Sequence, residues 1–165
     1  MKQNSRVIEK RGQENKMKIK FEHSREEILD EDLTQIEVYD KREKITESVV
    51  VKRLSETKIQ VAENAVMLCR LTFGTEFETR INKEGVYEIT KITKDSKFIT
   101  RRFLLSHKFT ESEYRVLGDE IMKQGGFWQV DLGGIATVNL PQDSTLDLDE
   151  VFRIFDFQPT EFTDE

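Results

Sequence analysis

The stretch that most constrains the fold is KFTESEYRVLGDEIMKQGGFWQVDLGGIATVNLP, which occupies residues 108–141. Thr110, with Glu113 three residues later, is typical of a helix N-terminus, because these side chains can bind backbone N–H groups that the first turn leaves unpaired. Apolar residues then recur at helical spacing on one face. A glycine pair that begins at Gly125 accepts the left-handed conformation that ends many helices. The pattern predicts one amphipathic helix between Thr110 and Gly125.

The segment FWQVDLGGIATVNLP after this helix predicts a β-hairpin whose register follows from burial of one face. A loop of two glycines would mix apolar and polar side chains on both faces. A three-residue loop, Leu132-Gly133-Gly134, pairs Asp131 with Ile135 and separates the two kinds of side chain. We therefore predict the three-residue loop, with the apolar face against the helices. The apolar face then holds Trp128, Val130, Ala136 and Val138, and the polar face holds Gln129, Asp131, Thr137 and Asn139.

A second helix is predicted to begin near Asp147, with Glu150 at the capping-box position. A strand at residues 98–105 precedes the first helix, so the order of elements is β-α-β-β-α, that of a ferredoxin-like half. A closing strand would have to come from residues 156–163, where Pro159 restricts it to a sheet edge. The apolar stripe of the second helix, predicted to face the core, consists of Leu148, Val151, Phe152 and Phe155.

The first half of the chain contains several short segments rich in β-branched and aromatic residues, at 36–39, 48–54, 57–62, 77–81 and 86–92. An apolar run at residues 64–73 interrupts them, and its flanks favour a buried crossover over a long helix. The prediction is an α+β protein, with an N-terminal antiparallel β meander or small barrel packed on a C-terminal ferredoxin-like half. The predicted parts are a disordered basic extension (1–16), a β-rich subdomain (17–97), a ferredoxin-like subdomain (98–157) and an acidic tail (158–165).

Several of these segments together resemble a known family. The order KIKFE, ESVVVKRLSETKIQVAEN, LTFGTEFETRI, GVYEITKITKDSKF, GGFWQVDLGGIATVNLP and LDLDEVFRIF is similar to a small bacterial family catalogued only as a domain of unknown function. The resemblance covers residues 18–155 and departs at residues 69–73, where the family's acidic residue after the glycine is here Thr75. It implies the layout described above and a bacterial or phage origin, and it brings no assigned chemistry.

Composition narrows the class of protein. Charged residues make up 35% of the 165 residues and apolar residues 36%, and the net charge is −6. Cys69 is the single cysteine, so an internal disulfide is excluded, as is usual in a reducing cytosol. The N-terminus has no apolar run of the kind that forms a signal peptide or a membrane span. The expectation is a cytoplasmic protein without a membrane partner.

The sequence offers few residues for catalysis. His23 and His107 are the only histidines, and neither has Cys, His or an acidic residue at a metal-ligand spacing. Cys69 lies in an apolar run, where a thiol behaves as a small hydrophobic group. The glycines at 133 and 134 belong to a hairpin and not to a phosphate-binding turn. We therefore expect no catalytic residue, no metal and no cofactor, and a protein that is not an enzyme.

The C-terminal segment is the leading candidate for a binding surface. Residues 143–165 carry eight Asp or Glu against Arg153 alone, with phenylalanines between them. An aromatic anchor beside acidic residues can bind a basic protein surface. This favours a non-enzymatic protein–protein interaction module of bacterial or phage origin, of the inhibitor or immunity type. The alternative for its two last phenylalanines is a short final strand at the sheet edge. The predicted partner-binding residues are Asp156, Phe157, Glu161, Phe162, Asp164 and Glu165.

Two other hypotheses follow from the sequence. A ferredoxin-like sheet with an open face can bind single-stranded RNA by stacking its bases, although the net negative charge opposes phosphate. An enzyme with carboxylates in a cleft between the two halves is the third class. The residues of the RNA-binding face would be Arg102, Phe127, Gln129, Asp131, Thr137 and Asn139.

Overall fold

The computed structural model describes residues 26–28 and 32–162. The predicted extension at 1–16, His23, Asp164 and Glu165 lie outside the described residues. Within them, the chain forms ten strands and two helices. The strands are β1 Glu26–Ile28, β2 Thr34–Asp40, β3 Ile45–Arg53, β4 Lys58–Val61, β5 Glu76–Ile81, β6 Tyr87–Lys94, β7 Phe98–Leu104, β8 Phe127–Asp131, β9 Ile135–Pro141 and β10 Thr160–Phe162; the helices are α1 Glu111–Lys123 and α2 Leu148–Phe155.

The first six strands form one sheet in chain order, and β2 also pairs in parallel with β6 through Val38–Tyr87 and Tyr39–Glu88. This pairing closes β2 to β6 into a ring of five strands, and β1 pairs with the first part of β2. Closure is favourable because it pairs backbone groups that an open edge would expose. Of the two forms that the sequence suggests, an open meander and a small barrel, the structure has the ring. We call residues 32–94 the ring unit.

The core of the ring unit consists of side chains that alternate along its strands. In β2, Ile36 and Val38 point inward and are fully buried, as the alternation of a pleated strand requires. The segment between β4 and β5 is irregular and contains no helix, which confirms the prediction against a long helix. Because β4 and β5 pair directly, the segment joins neighbouring antiparallel strands; we call residues 62–75 the crossover. Its residues Leu68 and Leu71 are completely buried and join the core cluster of the ring.

One carboxylate organises this crossover. Glu47 on β3 accepts backbone N–H groups from Val66, Met67 and Leu68 at 2.6, 2.9 and 2.9 Å. A carboxylate that accepts several N–H groups replaces the hydrogen bonds that a helix or strand would provide. The crossover therefore has a defined conformation without regular secondary structure.

The remaining strands form an antiparallel sheet of four strands in the order β10-β7-β9-β8. The helix α1 connects β7 to β8, α2 connects β9 to β10, and both helices pack on the same face of the sheet. We call residues 98–162 the sheet unit. Its core between sheet and helices includes Phe103, Leu117, Ile121, Val138 and Phe152. The protein is therefore α+β and mostly antiparallel.

The predicted hairpin register is confirmed. Asp131 pairs with Ile135, so the loop has three residues, and Gly133 adopts the left-handed conformation with φ 75°. Trp128 and Val130 pack against the helices, on the same side as the buried Val138. The burial of this face selects the register, because a shift by one residue would turn these side chains away from the helices.

The ends of both helices follow the sequence signals. The Glu113 carboxylate accepts hydrogen bonds from the Thr110 backbone N–H and hydroxyl at 2.8 and 2.7 Å, and these bonds lower the pKa of Glu113. In α2, the Asp147 carboxylate accepts the N–H of Glu150 at 3.0 Å. A side-chain acceptor at this position stabilises a helix by about 1 kcal/mol.

Candidate functional site

Phe157 is a core residue and not the exposed anchor that the sequence suggests. The chain leaves α2 through Asp156, which has φ 55°, and the N–H of Phe157 donates to the carbonyl of Phe152 at 3.0 Å. This is the Schellman arrangement, in which the residue after the left-handed position turns back onto the helix. Phe157 is only 4% exposed, and its ring centroid lies 3.9 Å from that of Phe109.

The helical spacing places Phe155 in the buried stripe of α2, and this prediction is wrong. Its side chain is 62% exposed and stacks on Phe157, with 5.5 Å between the ring centroids. Phe157 fills the core position that the helical spacing assigns to Phe155, because the Schellman turn brings it there from outside the helix. The exposed aromatic residue at the end of α2 is therefore Phe155.

The expected closing strand is present. Residues Thr160–Phe162 form β10, which pairs with β7 at the edge of the sheet and places Glu161 opposite Phe103. Phe162 lies opposite Arg102 and remains 43% exposed. This confirms the alternative of a final strand for Phe162.

Two predicted partner-binding acids have cationic partners within the chain. Arg101 binds Glu161 with Nε and Nη2 at 2.8 and 2.9 Å, and also binds Asp149 at 2.8 Å. These hydrogen bonds lower the pKa of both carboxyls and raise the pKa of Arg101. Asp156 forms an ion pair with Lys108 at 3.2 Å, and the hydrogen bond from Lys108 lowers its pKa.

Negative charge is nevertheless concentrated in the sheet unit. Residues 98–162 carry eleven Asp or Glu against six Lys or Arg, whereas residues 32–97 carry twelve of each. Five exposed acids lie on α2, in the loop before it and on β10, with Arg101 and Arg153 as the nearby cations. We call this surface the acidic face; its acids are Asp143, Asp147, Asp149, Glu150 and Glu161.

A cleft of about 330 Å³ opens within the acidic face. It lies where the ends of β7 and β9 meet the loop that leads into α2. Arg101 and Asp147 are its charged lining residues, and Ile99, which also lines it, is 51% exposed. No local sequence pattern indicates this cleft, since its residues come from two separated segments, 99–101 and 140–148. The apolar residues that line it are Ile99, Leu140, Pro141, Leu146 and Leu148.

The polar face of the four-stranded sheet is covered by the ring unit, so the prediction of an open face is wrong. Asn64, in the crossover of the ring, exchanges side-chain hydrogen bonds with Asn139 at 2.7 and 3.0 Å. Gln129 accepts the backbone N–H of Asn64 at 2.8 Å and donates to its carbonyl at 2.9 Å. Phe127 stacks on Phe73, with 4.4 Å between ring centroids. We call this contact between the units the joint.

Four of the six residues proposed for RNA binding contact the ring unit, namely Arg102, Phe127, Gln129 and Asn139. Thr137 and Asn139 are almost completely buried, and Arg102 is 5% exposed. Asn64 was missed as a site residue, because nothing in its local sequence shows that its side chain pairs with a residue 75 positions away. The apolar run that follows Asn64 in the sequence does indicate that this part of the chain is buried.

The third hypothesis, an enzyme with carboxylates in a cleft between the two halves, stays a prediction; the carboxylates near the joint are Glu47 and Asp131. Glu47 is bound by the three N–H groups of the crossover. Asp131 accepts a hydrogen bond from Gln129 at 2.7 Å. Burial raises the pKa of Asp131, while Gln129 and Arg102 oppose this effect. A carboxyl with a raised pKa beside a buried guanidinium is a polar site of the kind found in functional pockets.

The other functional features to consider in the described part of the chain are metal ligands, histidine, cysteine and membrane-spanning helices. No group of three or more His, Cys, Asp and Glu residues there could hold a metal ion. His107 is exposed, and Cys69 is half-buried in the crossover. Among residues 26–28 and 32–162, no helix has the length and apolar character needed to cross a membrane.

Comparison with known proteins gives a similarity of fold. No protein-family model and no curated protein matches the chain. The chain is similar to a solved structure described as "Novel crystal structure of a hypothetical protein from Neisseria gonorrhoeae", with a TM-score of 0.54 and 12% sequence identity. The similarity covers 78% of this chain and 91% of that one. At this identity it concerns the fold alone, and the two proteins share an α+β architecture.

Proposed function

We propose that this chain is a non-enzymatic protein–protein interaction module that binds a basic partner through the acidic face. The observation that carries the proposal is the cleft, whose lining combines five apolar residues with Asp147 and lies within the acidic face. The half-exposed Ile99 in this lining can contact an apolar side chain of a partner. Acids around such a pocket favour a partner whose apolar side chain is flanked by Lys or Arg.

The distribution of charge supports the same function. The excess of acids in residues 98–162 gives this end of the molecule a negative potential, whereas the charges of residues 32–97 balance. A potential of one sign accelerates encounter with a partner of the other sign, and the acceleration falls as salt increases. Arg101 and Arg153 are both engaged with acids of the face, so they reduce its charge without reversing it.

The proposal includes a biological role and a fold type. Masking of a basic surface is the mode of action of an inhibitor or immunity-type factor, and we assign the chain to that type, of bacterial or phage origin and cytoplasmic. We also assign the sheet unit to the ferredoxin-like type. The support for that assignment is the strand order β10-β7-β9-β8, with one helix in each of the connections β7 to β8 and β9 to β10.

The test begins with capture of the partner from the native host by the wild-type chain, followed by binding kinetics with the purified pair. Ile99→Glu places a charge in the apolar lining of the cleft and should abolish binding. Val116→Glu is the matched control, because Val116 is an apolar residue on α1 that is 69% exposed and lies outside the cleft. Unchanged binding by Ile99→Glu would exclude the cleft as the anchor site.

The charge of the face is tested separately. Asp143→Lys combined with Glu150→Lys should slow association by about tenfold at low salt and flatten its salt dependence. Asp119→Lys combined with Glu111→Lys changes the net charge equally on α1 and should have a smaller effect. If both double variants slowed association equally, the net charge of the chain would control the rate, and not the charge of the acidic face.

A further inference from the structure

Arg102 at the joint uses one of its three guanidinium nitrogens in a hydrogen bond. Its Nη1 donates to the carbonyl of Val66 at 3.1 Å, whereas its Nε and Nη2 are buried and have no hydrogen-bond partner. Buried polar groups in folded proteins are almost always paired, and an unpaired charged group is especially unfavourable. The two unpaired nitrogens therefore indicate a group that residues 26–28 and 32–162 do not supply.

The unpaired nitrogens are the two that bind a carboxylate elsewhere in this protein. Arg70 binds Asp40 through Nε and Nη2 at 2.7 and 3.0 Å. Arg101 binds Glu161 through the same two atoms. Nε and Nη2 carry parallel N–H groups with the spacing of two carboxylate oxygens. Nε and Nη2 of Arg102 can therefore bind a carboxylate in the same way.

The neighbouring charges restrict which carboxylate compound fits. Arg102 on β7, Thr137 on β9 and Gln129 on β8 lie side by side, and Asp131 follows Gln129 by two residues on the same face of the sheet. The Glu47 carboxylate also lies within electrostatic reach of Asp131 and raises its pKa. A simple anion on Arg102 would be repelled by these two acids. Asp131 uses one oxygen for Gln129 and can accept a further donor at the other. A ligand that carries a positive group beside its carboxylate satisfies both residues.

We propose that Arg102 and Asp131 bind a small zwitterion of the amino-acid type. Its carboxylate accepts from Nε and Nη2 of Arg102, and its ammonium donates to the carboxylate of Asp131. The site lies in the joint, on the opposite face of the sheet from the helices, and is independent of the acidic face. Met67 and Phe162 are half-exposed neighbours of this site, since Met67 follows Val66 and Phe162 pairs with Arg102.

The experiment follows the Nε–H resonance of Arg102 by NMR in the intact chain. Glycine is added up to about 100 mM, roughly a hundred times the millimolar Kd expected for so small a ligand. Acetate and glycinamide, which each lack one of the two charged groups, are the comparison ligands. Glycine should shift the resonance in a saturable way, and the other two should bind at least about tenfold more weakly.

Three variants test which side chains bind each charge of the zwitterion. Arg102→Lys keeps the charge but removes the paired N–H groups, and it should weaken glycine binding about tenfold, read from backbone amides of β7 and β8. Arg101→Lys is the matched control and should have no effect, because its side chain lies on the other face of the sheet. Asp131→Asn should weaken glycine and strengthen acetate, because it removes a negative charge.

Two results would overturn the proposal. Equal binding of acetate and glycine by the wild type would show a simple anion site. The absence of a saturable shift with every ligand would show that internal solvent alone satisfies Arg102.

Discussion

Asp156 determines which phenylalanine of the C-terminal segment is buried. Its left-handed backbone, uncommon for a residue with a side chain, reverses the chain after α2 and turns Phe157 into the core. Phe155, one helical turn after Phe152, is displaced to the surface. Helical spacing alone assigns these two residues the opposite way.

The two phenylalanines should therefore respond differently to truncation. Phe157→Ala should lower the free energy of unfolding by about 3–5 kcal/mol, because it removes a buried ring and leaves a cavity beside Phe109. Phe155→Ala should cost less than about 1 kcal/mol, since most of its ring is exposed. Urea denaturation of both variants measures this difference, and a larger loss for Phe155→Ala would contradict the structure.

Asp131 should show its raised pKa as a pH dependence of stability. Because the folded pKa lies above the unfolded value, the stability that protonation contributes is present below the unfolded pKa, about 3.9, and is lost as pH rises through the folded pKa. Asp131→Asn should therefore be more stable than wild type at pH 7, and the difference should disappear in acid. Urea midpoints between pH 3 and pH 7 measure it.

Asp149 provides a control of opposite sign. Its hydrogen bond from Arg101 lowers its folded pKa, so its contribution is present above the unfolded pKa and is lost as pH falls through the folded pKa. Asp149→Asn should be less stable than wild type at pH 7 by up to about 1 kcal/mol, as for other exposed ion pairs, and equally stable in acid. If both variants changed stability with pH in the same direction, at least one of the two pKa directions would be wrong.

At the scale of elements, α1 docks on β8 through a glycine. A Cβ atom added at Gly118 would lie 2.7 Å from Cδ1 of the Trp128 ring, closer than carbon atoms can pack. The absence of a side chain at Gly118 therefore allows the helix and the indole to approach each other. The amphipathic pattern of α1 is insufficient to show this, because glycine in a helix is by itself destabilising.

Gly118→Ala tests this contact. An alanine favours the helix intrinsically, but it should push the helix away from Trp128 and lower stability by about 1–3 kcal/mol. Trp128 fluorescence should change with it. Val116→Ala, at an exposed position of the same helix, should be within about 0.5 kcal/mol of wild type. A gain in stability for Gly118→Ala would mean that Trp128 moves without cost.

At the scale of the whole molecule, the joint connects the ring unit to the sheet unit by polar groups as well as by stacked rings. The amides of Asn64 and Asn139 satisfy each other, and Asn139 also donates to Thr100 at 2.8 Å. Phe73 lies between Phe127 and Phe98, at 4.4 and 5.1 Å between centroids. A buried network of this kind is favourable only while all its members are paired.

A double-mutant cycle measures this coupling. Asn139→Ala leaves buried groups of Asn64 without partners and should cost about 1–3 kcal/mol, and Asn64→Ala should cost a similar amount. The double variant should cost less than the two single losses together, by about 0.5–3 kcal/mol. Additive losses would show that the amides do not depend on each other and that the units are held by the stacked rings.

Some features of this protein are determined by the sequence through local physics. The capping interaction of Thr110 with Glu113 and the three-residue hairpin loop were predictable, because each depends on residues a few positions apart. The register of β8 and β9 follows from alternation once one face is assumed to be buried. Pro159 likewise predicts that β10, if formed, lies at an edge.

Other features were decided by contacts between distant parts of the chain. The parallel pairing of Val38 with Tyr87 closes the ring, and no local pattern distinguishes a ring from an open meander. Gln129 and Asn139 have the polar character of a solvated face, yet their partner is Asn64 in the other unit. A polar residue satisfied by water and one satisfied across a joint look alike in a sequence. Only the tertiary structure supplies the second partner, and with it the difference between a binding surface and an interior.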